Sequence, residues 1–264
     1  MSPRHLSPGH LRQHLVRSRI AGDVATPRED NLRNAERMAQ GLDKYAFGLV
    51  PLRTWTPAEV VAVMAERCGI VADPGHLAGA DTIDPDLTLG QLERWRVRLA
   101  KAAAGQERVL VATGHPTGVL AIHLQVAAAL RAAGCEVVVP PMSWTWPWPE
   151  SWGRGRPRHV RTLNGVHVLA SGGELLHTHD PEPMRAVLEA LSADGAEPPD
   201  LVVADHGWAG AAVQAGLEVL GMADSNDPAL FVAEHEGRSI VTVPLDDNVA
   251  PHLYDPLSSF LTTW

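Results

Sequence analysis

The chain has 264 residues, of which 45% are hydrophobic and 20% are charged, and its formal net charge is −9. This length and composition are typical of one large α/β domain or two small ones, and they exclude intrinsic disorder. The acidic balance argues against a nucleic-acid partner, and two cysteines, Cys68 and Cys135, cannot form a disulfide framework.

No segment approaches the roughly 18 apolar residues of a membrane-spanning helix, and the first residues lack the apolar core of a secretory signal. We therefore expect a soluble cytoplasmic protein without a membrane partner. The unusual count is 13 histidines, a residue type that serves catalysis and metal binding but also occurs in exposed loops.

Residues 1–107 are predicted to be mainly helical and to pack on the rest of the chain as an N-terminal extension. Apolar residues at helical spacing predict a first helix over 10–19. The next helix is expected to begin at Thr26, with Thr26 as N-cap and Glu29 completing a capping box, and to run to about Gln40.

The same start signal occurs at Thr56, with Glu59 three residues later, and predicts another helix. Residues 81–87 are expected to form a loop. An amphipathic pattern over 88–104 predicts the last helix of this part of the chain.

From residue 108 onward, strands and helices are predicted to alternate. A Val-rich run over 108–113, a helical pattern over 119–133 and a strand over 135–140 form a βαβ unit. The further predicted elements are a hairpin over 166–179, helices over 181–191, 208–215 and 228–235, and strands over 200–204, 217–223 and 239–244. This alternation predicts an α/β fold for residues 108–264: a Rossmann-like, mostly parallel sheet with helices on both faces.

Ligands of open α/β sheets bind at the carboxyl ends of the strands, so the residues that follow each predicted strand are site candidates. Thr113, Gly114 and His115 follow the first strand and open a helix, whose N–H groups and dipole suit a phosphate. The turn matches neither GxGxxG nor the P-loop pattern. A tight turn without a ligand would explain the glycine, but it does not require His115.

His177 and His179 follow the predicted hairpin and lie on one face of an extended segment, close enough to share a metal ion. Asp180 has a simpler interpretation as the N-cap of the next helix. Asp205 and His206 end another strand, and an ionisable pair at this position is typical of catalysis, although Asp205 alone could serve as an N-cap.

Asp224 and Asn226 follow the next strand, and their oxygen atoms suit Mg²⁺. Asp227 in the same run is more simply an N-cap before Pro228. The final strand ends in an acidic run that begins at Asp246. Carboxylates, imidazoles and helix starts are therefore expected at one edge of the sheet.

Two further segments are candidates for contact with this edge. Arg28 could hold a phosphate through two hydrogen bonds, although an exposed first helical turn would explain it equally well. The segment 143–161 contains four of the eight tryptophans, followed by several arginines. It could contact a substrate ring and an anionic group, or act as a flap or subunit contact.

Six strings of the sequence resemble a family of actinobacterial proteins described as phosphatases. These are RSRIAGDVATPREDNL, ATGHP, HTHDPEPMRAVLEAL, DLVVADHGWAGAAVQAG, ADSNDPALFVAE and VTVPLDDNV. The resemblance extends over nearly the whole chain. The Trp-, Pro- and Arg-rich segment 142–162 departs from the family pattern, which implies a specialised substrate, for instance in secondary metabolism.

The leading hypothesis is a phosphatase that hydrolyses a small phosphorylated metabolite, such as a sugar or nucleoside phosphate. The expected catalytic groups are His115, Asp205 and His206. The expected phosphate- and substrate-binding residues are Arg28, Thr113, Gly114, Gly207, Trp208 and Asn226. The expected ligands of Mg²⁺ or another divalent cation are Asp205, Asp224 and Asn226, with His177 and His179 as the alternative pair. A metal-assisted lyase, isomerase or cyclase, a non-catalytic phosphometabolite-binding protein and a homo-oligomer remain open alternatives.

Overall fold

The computed structural model describes residues 7–147 and 155–264. The N-terminal part contains helices α1 (Pro8–Arg17), α2 (Arg28–Ala39), α3 (Asp43–Ala46), α4 (Pro57–Arg67) and α5 (Pro85–Gly105), with strands β1 (Gly22–Pro27) and β2 (Ala80–Ile83). The predicted capping box at Thr56 and Glu59 is confirmed at the start of α4. Helix α2 packs against α4 and against the later helix Pro228–His235, and α5 packs against the strand Ile240–Pro244.

Two predictions for this part are wrong. Residues 22–27 form β1, so α2 begins at Arg28 instead of Thr26, and residues 80–83 form β2, which pairs antiparallel with β1. The Thr26 hydroxyl donates a 2.5 Å hydrogen bond to Asp224, and Gly79 N–H donates to Glu29. Because the side chains of Thr26 and Glu29 bond to distant parts of the chain, they do not form a capping box with each other.

The second part contains strands β3 (Arg108–Thr113), β4 (Glu136–Val137), β5 (Thr145–Trp146), β6 (Arg158–Leu163), β7 (Val166–Ser171), β8 (Glu174–Leu175), β9 (Leu201–Asp205), β10 (Val219–Ala223) and β11 (Ile240–Pro244). Its helices are α6 (Leu120–Ala132), α7 (Glu182–Ala193), α8 (His206–Gln214), α9 (Pro228–His235) and α10 (Asp255–Leu261). No helix of the described residues combines the length and apolar character needed to cross a membrane.

The described strands β3–β11 form one mixed sheet in the order β11-β10-β9-β3-β7-β6-β5, with β4 beside the start of β3 and β8 beside β7. Strands β11, β10, β9, β3 and β7 are mutually parallel. The predicted α/β class with a mostly parallel sheet and surrounding helices is confirmed. After β3 the chain forms β4 to β8 on one side of β3, and it then forms β9, β10 and β11 on the other side. The strand order therefore reverses between β3 and β9. Open α/β sheets bind ligands at such a reversal.

The hairpin of β6 and β7 was not predicted as such. Strand β6 carries charged and half-exposed residues and lacks an apolar run, so its hydrophobicity pattern does not predict a strand. Its turn is Asn164-Gly165, and both residues have positive φ, which is the backbone of a tight hairpin turn. The strand predicted over 135–140 is only Glu136–Val137.

Candidate active site

A cavity of about 400 Å³ opens at the carboxyl ends of β3, β9, β10 and β11. The lining residues are Ala25, Thr26, Pro27, Asp30, His115, His177, His179, His206, Asp224, Asn226, Asp227, Asp246, Asp247, Asn248 and Val249. None of these described lining residues is lysine or arginine. The predicted convergence of strand ends therefore produces a cavity rich in carboxylates and imidazoles.

The turn from β9 into α8 holds the most constrained histidine of the cavity. His206 has a positive φ of 49°, a conformation that L-residues adopt uncommonly and that clusters at functional sites. Its Nδ1 lies 2.7 Å from Oδ1 of Asp205, and the same oxygen accepts the N–H of Gly114 at 2.6 Å. Asp205 makes no side-chain capping bond to α8, so its carboxylate serves to orient His206.

The other ring nitrogen of His206 faces two carboxylates. Its Nε2 lies 3.5 Å from Oδ2 of Asp227 and 3.4 Å from Oδ2 of Asp247. Although burial opposes the charged ring, the hydrogen bond to Asp205 and the surrounding carboxylates raise the pKa of His206 to about 10. The same carboxylates that hold a proton on Nε2 would also attract a metal cation to it.

Three more histidines surround His206. The rings of His115 and His177 are stacked, with centroids 4.3 Å apart and an interplanar angle of 3°. His179 lies 4.8 Å from His206 at an angle of 60°, and Phe47 packs against both of these rings. Burial, followed by the charge of His206, lowers the pKa of His177 to about 4 and that of His179 to about 2, so both rings are neutral donors of lone pairs near neutral pH.

Two triads have donor atoms close enough to hold a metal ion. His115, His177 and His206 form one, and His179, His206 and Asp227 form the other, with the donor atoms of each within 4.8 Å of one another. A metal ion lies in the plane of each imidazole that binds it. The parallel stacked planes of His115 and His177 cannot share one ion without rotation of a ring, whereas the planes of His179 and His206 intersect. The second triad is therefore the better metal site.

The opposite wall of the cavity is acidic. Asp224, Asp227, Asp246 and Asp247 are each at most 6% exposed. Burial and the neighbouring carboxylates raise the pKa of Asp224, and burial raises that of Asp227 despite the charge of His206. Asp227 makes no side-chain capping bond to α9, so its predicted role as N-cap is not the one its carboxylate performs. Four carboxyl groups are therefore buried together on this wall of the cavity.

Close backbone contacts hold the walls together. A Cβ atom at Gly118 would lie 1.9 Å from the backbone oxygen of Asp247, and one at Gly207 would lie 2.2 Å from that of His179. Glycine is therefore required at both positions because the neighbouring backbone has no room to give way.

Replacement of Gly118 by alanine is expected to displace the segment that carries Asp247. We expect a loss of about 1–3 kcal/mol in the free energy of unfolding, the usual cost of overpacking, together with reduced activity. Chemical denaturation and a phosphate-release assay measure the two effects. Gly173→Ala is the control, because a Cβ atom there meets nothing within 4 Å. Equal stability and activity of the two variants would contradict the packing described here.

The structure brings together most of the residues predicted for the site. His115, His177, His179, His206, Asp224 and Asn226 line the cavity, while Thr113, Gly114, Asp205 and Gly207 support it from behind. Trp208 is fully buried in α8 and is not among the lining residues, so its predicted contact with substrate has no structural counterpart.

Arg28 lies outside the cavity. Its guanidinium is fully buried and forms a 3.0 Å ion pair with Asp81, while Nε donates to the backbone oxygen of His76. Its side chain is occupied by these contacts and does not line the cavity, so the prediction that Arg28 binds phosphate is wrong. The partner lies in β2, which the sequence pattern did not reveal as a strand.

The Trp- and Arg-rich segment also lies apart from the cavity lining where it is described. Arg158 stacks on Trp146 at 3.5 Å from the ring centroid, and Trp144 lies 5.9 Å from Trp146. Trp148, Trp152 and Arg154 of this segment lie outside the described residues. The proposed contact of the segment with substrate stays a prediction.

Two of the cavity residues, Asp227 and Asp247, are not among those predicted from the sequence for the site. Asp227 precedes a proline, which favours an N-cap, and Asp247 belongs to an acidic run with no further local pattern. Both follow a strand of the sheet, so position at a strand end was the useful signal. His123 in α6 had no such signal, yet its Nε2 lies 3.5 Å from Oδ2 of Asp205.

Comparison with known proteins identifies the family of this chain. A family model described as Phosphatase matches residues 6–263. A phosphatase from Streptomyces coelicolor is 51% identical over 259 residues, an alignment that covers 97% of this chain and 95% of the relative. These matches confirm the resemblance drawn from the sequence. The chain therefore belongs to the phosphatase family.

Proposed function

We propose that this phosphatase hydrolyses the monoester of a small phosphorylated metabolite, such as a sugar or nucleoside phosphate, with the help of a divalent cation. The observation that carries the proposal is the triad of His179, His206 and Asp227 beside an acidic wall that contains no lysine or arginine among its described residues. A phosphate bears negative charge, so it can enter such a cavity only if a cation offsets the carboxylates.

The donor set fits a divalent metal. Two imidazole nitrogens and one carboxylate oxygen form a common ligand combination for catalytic zinc and related transition metals, whereas Mg²⁺ prefers oxygen ligands such as Asp224 and Asn226. The identity of the ion is therefore left to experiment. When bound, a divalent cation polarises the phosphoryl oxygens and stabilises the charge of the transition state.

The remaining residues have separable roles in this proposal. Asp205 accepts the Nδ1–H of His206 and so keeps Nε2 directed at the metal position, as carboxylates do behind many histidine ligands. The N-terminal turn of α8 supplies a positive dipole end at the edge where phosphate would bind, whereas the N–H of Gly114 is donated to Asp205 and holds this edge together.

His115 is the proposed proton-transfer group. It is 5% exposed, and its Nδ1 lies 3.2 Å from Oδ1 of Asp247. In the reaction, the oxygen of a water molecule forms a bond to phosphorus and the bond from phosphorus to the ester oxygen breaks. His115 gives a proton to the departing oxygen and regains one from the attacking water, leaving an alcohol and inorganic phosphate.

The first experiment measures phosphate release from a panel of sugar and nucleoside phosphates, before and after metal removal by EDTA. We expect activity on at least one member, loss of that activity with EDTA, and recovery when Mg²⁺, Mn²⁺ or Zn²⁺ is added back. Unchanged turnover in EDTA would remove the metal from the proposal. No release from any member would contradict the proposed substrate class.

The role of His115 predicts a dependence on the leaving group. His115→Gln should lower kcat on an alkyl phosphate by roughly 10²–10⁴-fold with little change in KM, because the alkoxide needs a proton as it departs. On p-nitrophenyl phosphate, whose leaving group is stable without a proton, the loss should be much smaller. Equal losses on both substrates would show that His115 does not protonate the leaving group.

A further inference from the structure

His123 lies on α6 behind the cavity and is fully buried. Its Nδ1 lies 3.0 Å from the backbone oxygen of Val119, one helical turn earlier. A carbonyl oxygen only accepts hydrogen bonds, so this contact requires a hydrogen on Nδ1.

The second nitrogen of the ring faces the carboxylate that orients His206. Nε2 of His123 and Oδ2 of Asp205 lie 3.5 Å apart, an ion-pair distance, and neither atom makes a hydrogen bond within the part of the chain that the structure describes. A neutral imidazole carries a hydrogen on only one nitrogen, so one of its two oxygen neighbours would face a lone pair. Burial lowers the pKa of His123, and the charge of Asp205 works against this effect. A hydrogen on Nε2 would spare the two buried atoms from facing each other as lone pairs.

The two oxygens of Asp205 then have distinct partners. Oδ1 accepts from Gly114 and His206, Oδ2 faces His123, and the Thr113 side chain also contacts the carboxylate. A carboxylate held at both oxygens cannot rotate about its terminal bond. Nε2 of His206 faces Asp227 while Nδ1 is held by Asp205. The orientation of the His206 ring therefore depends on the orientation of the Asp205 carboxylate.

We propose that His123 is a positioning residue that donates an Nε2–H to Asp205 and thereby fixes the metal-binding orientation of His206. The inference rests on the proposed metal site, and it assigns a role to a histidine that touches neither the cavity nor the substrate. Partners behind a metal ligand typically change metal affinity by 10–100-fold when they are removed.

The test uses His123→Leu and His123→Gln in the full chain. Leucine removes the donor, whereas the amide of glutamine can still donate near the position of Nε2. We expect His123→Leu to weaken Co²⁺ binding by roughly 10–100-fold in calorimetry and to change the visible absorption spectrum of bound Co²⁺. His123→Gln should restore most of the affinity and the spectrum.

His167 offers a matched control. It is also fully buried, its Nδ1 lies 3.0 Å from the backbone oxygen of Val111, and its Nε2 has no partner among the described residues. His167→Leu should therefore lower thermal stability to a similar degree but leave Co²⁺ affinity and the spectrum unchanged. If it weakens Co²⁺ binding as much as His123→Leu does, the effect is general destabilisation and the inference is overturned.

A metal-free measurement separates this inference from the proposed function. In the ¹⁵N-histidine-labelled protein without metal, the Nδ1–H resonance of His206 should shift on His123→Leu and stay in place on His167→Leu. If the wild type binds no cation, the proposed function fails, while the resonance still decides whether His123 acts on His206. An unchanged resonance in His123→Leu, or unchanged Co²⁺ binding, would overturn the positioning role.

Discussion

Replacing His206 by asparagine is expected to lower kcat/KM for phosphate release by about three orders of magnitude. Asparagine tolerates the left-handed backbone at φ 49° and can donate to Asp205 from a position close to Nδ1. It has no atom that corresponds to Nε2, so the contact toward Asp227 is lost. Metal stabilisation of a phosphoryl transition state contributes several kcal/mol, and about 4 kcal/mol corresponds to a factor of about 10³ in rate.

The measurement is a kinetic comparison of the wild type, His206→Asn and His252→Asn at saturating metal. His252 is exposed and lies outside the cavity lining, so its variant should behave as the wild type. Circular dichroism and thermal unfolding show whether His206→Asn has kept its fold. A folded variant that retains more than about a tenth of kcat/KM would mean that Nε2 of His206 is not a ligand in the reaction.

Replacing Asp81 by asparagine is expected to lower the free energy of unfolding by about 3–5 kcal/mol, the usual cost of breaking a buried ion pair. Asp81 and Arg28 are both fully buried, and the carboxylate also accepts hydrogen bonds from Asn31 and the backbone of Val71. The variant leaves the guanidinium of Arg28 buried without a counter-charge. The Nη2 atom of Arg28 already lacks a hydrogen-bond partner among the described residues.

Asp86→Asn is the control for this experiment, because Asp86 pairs with Arg12 at the surface at 2.6 Å. Exposed pairs contribute little, so this variant should unfold at the wild-type denaturant concentration. The two variants remove the same kind of pair and differ in burial. Similar midpoints for Asp81→Asn and Asp86→Asn in urea would contradict the assigned role of the buried pair.

The same pair predicts a pH dependence. Burial works against the ionised form of Asp81, but hydrogen bonds from Val71, Asn31, Thr82 and Arg28 outweigh it and lower its pKa. A carboxyl whose folded-state pKa is lowered contributes stability above its unfolded pKa and loses that contribution as pH falls through the folded value. The stability difference between wild type and Asp81→Asn should therefore be constant near neutral pH and shrink under acid, which urea titrations at several pH values can follow.

The sequence predicted the sheet and the edge at which the site lies. His115, His206 and Asp224 each follow a predicted strand, and the sequence predicts their convergence because parallel strands share one carboxyl edge. The structure brings these three residues to one cavity. Apolar runs and glycine turns are local signals, so they suffice for this level of organisation.

What the sequence could not predict depends on long-range partners. Arg28 was expected at the phosphate, but its partner lies 53 positions away in a strand without an apolar pattern. Asp227 was assigned to a helix cap, since proximity to His206 is not visible in a local motif. His123 occupies an inward position of α6 and has the same local pattern as any core residue.

Anomalous diffraction from wild-type crystals grown with Mn²⁺ shows whether the proposed triad binds the ion. We expect an anomalous peak enclosed by the side chains of His179, His206 and Asp227, at a Mn²⁺ concentration that supports phosphate release. A peak elsewhere in the chain, or none at this position while the same preparation is active, would contradict the claim that these three residues hold the ion used in the reaction.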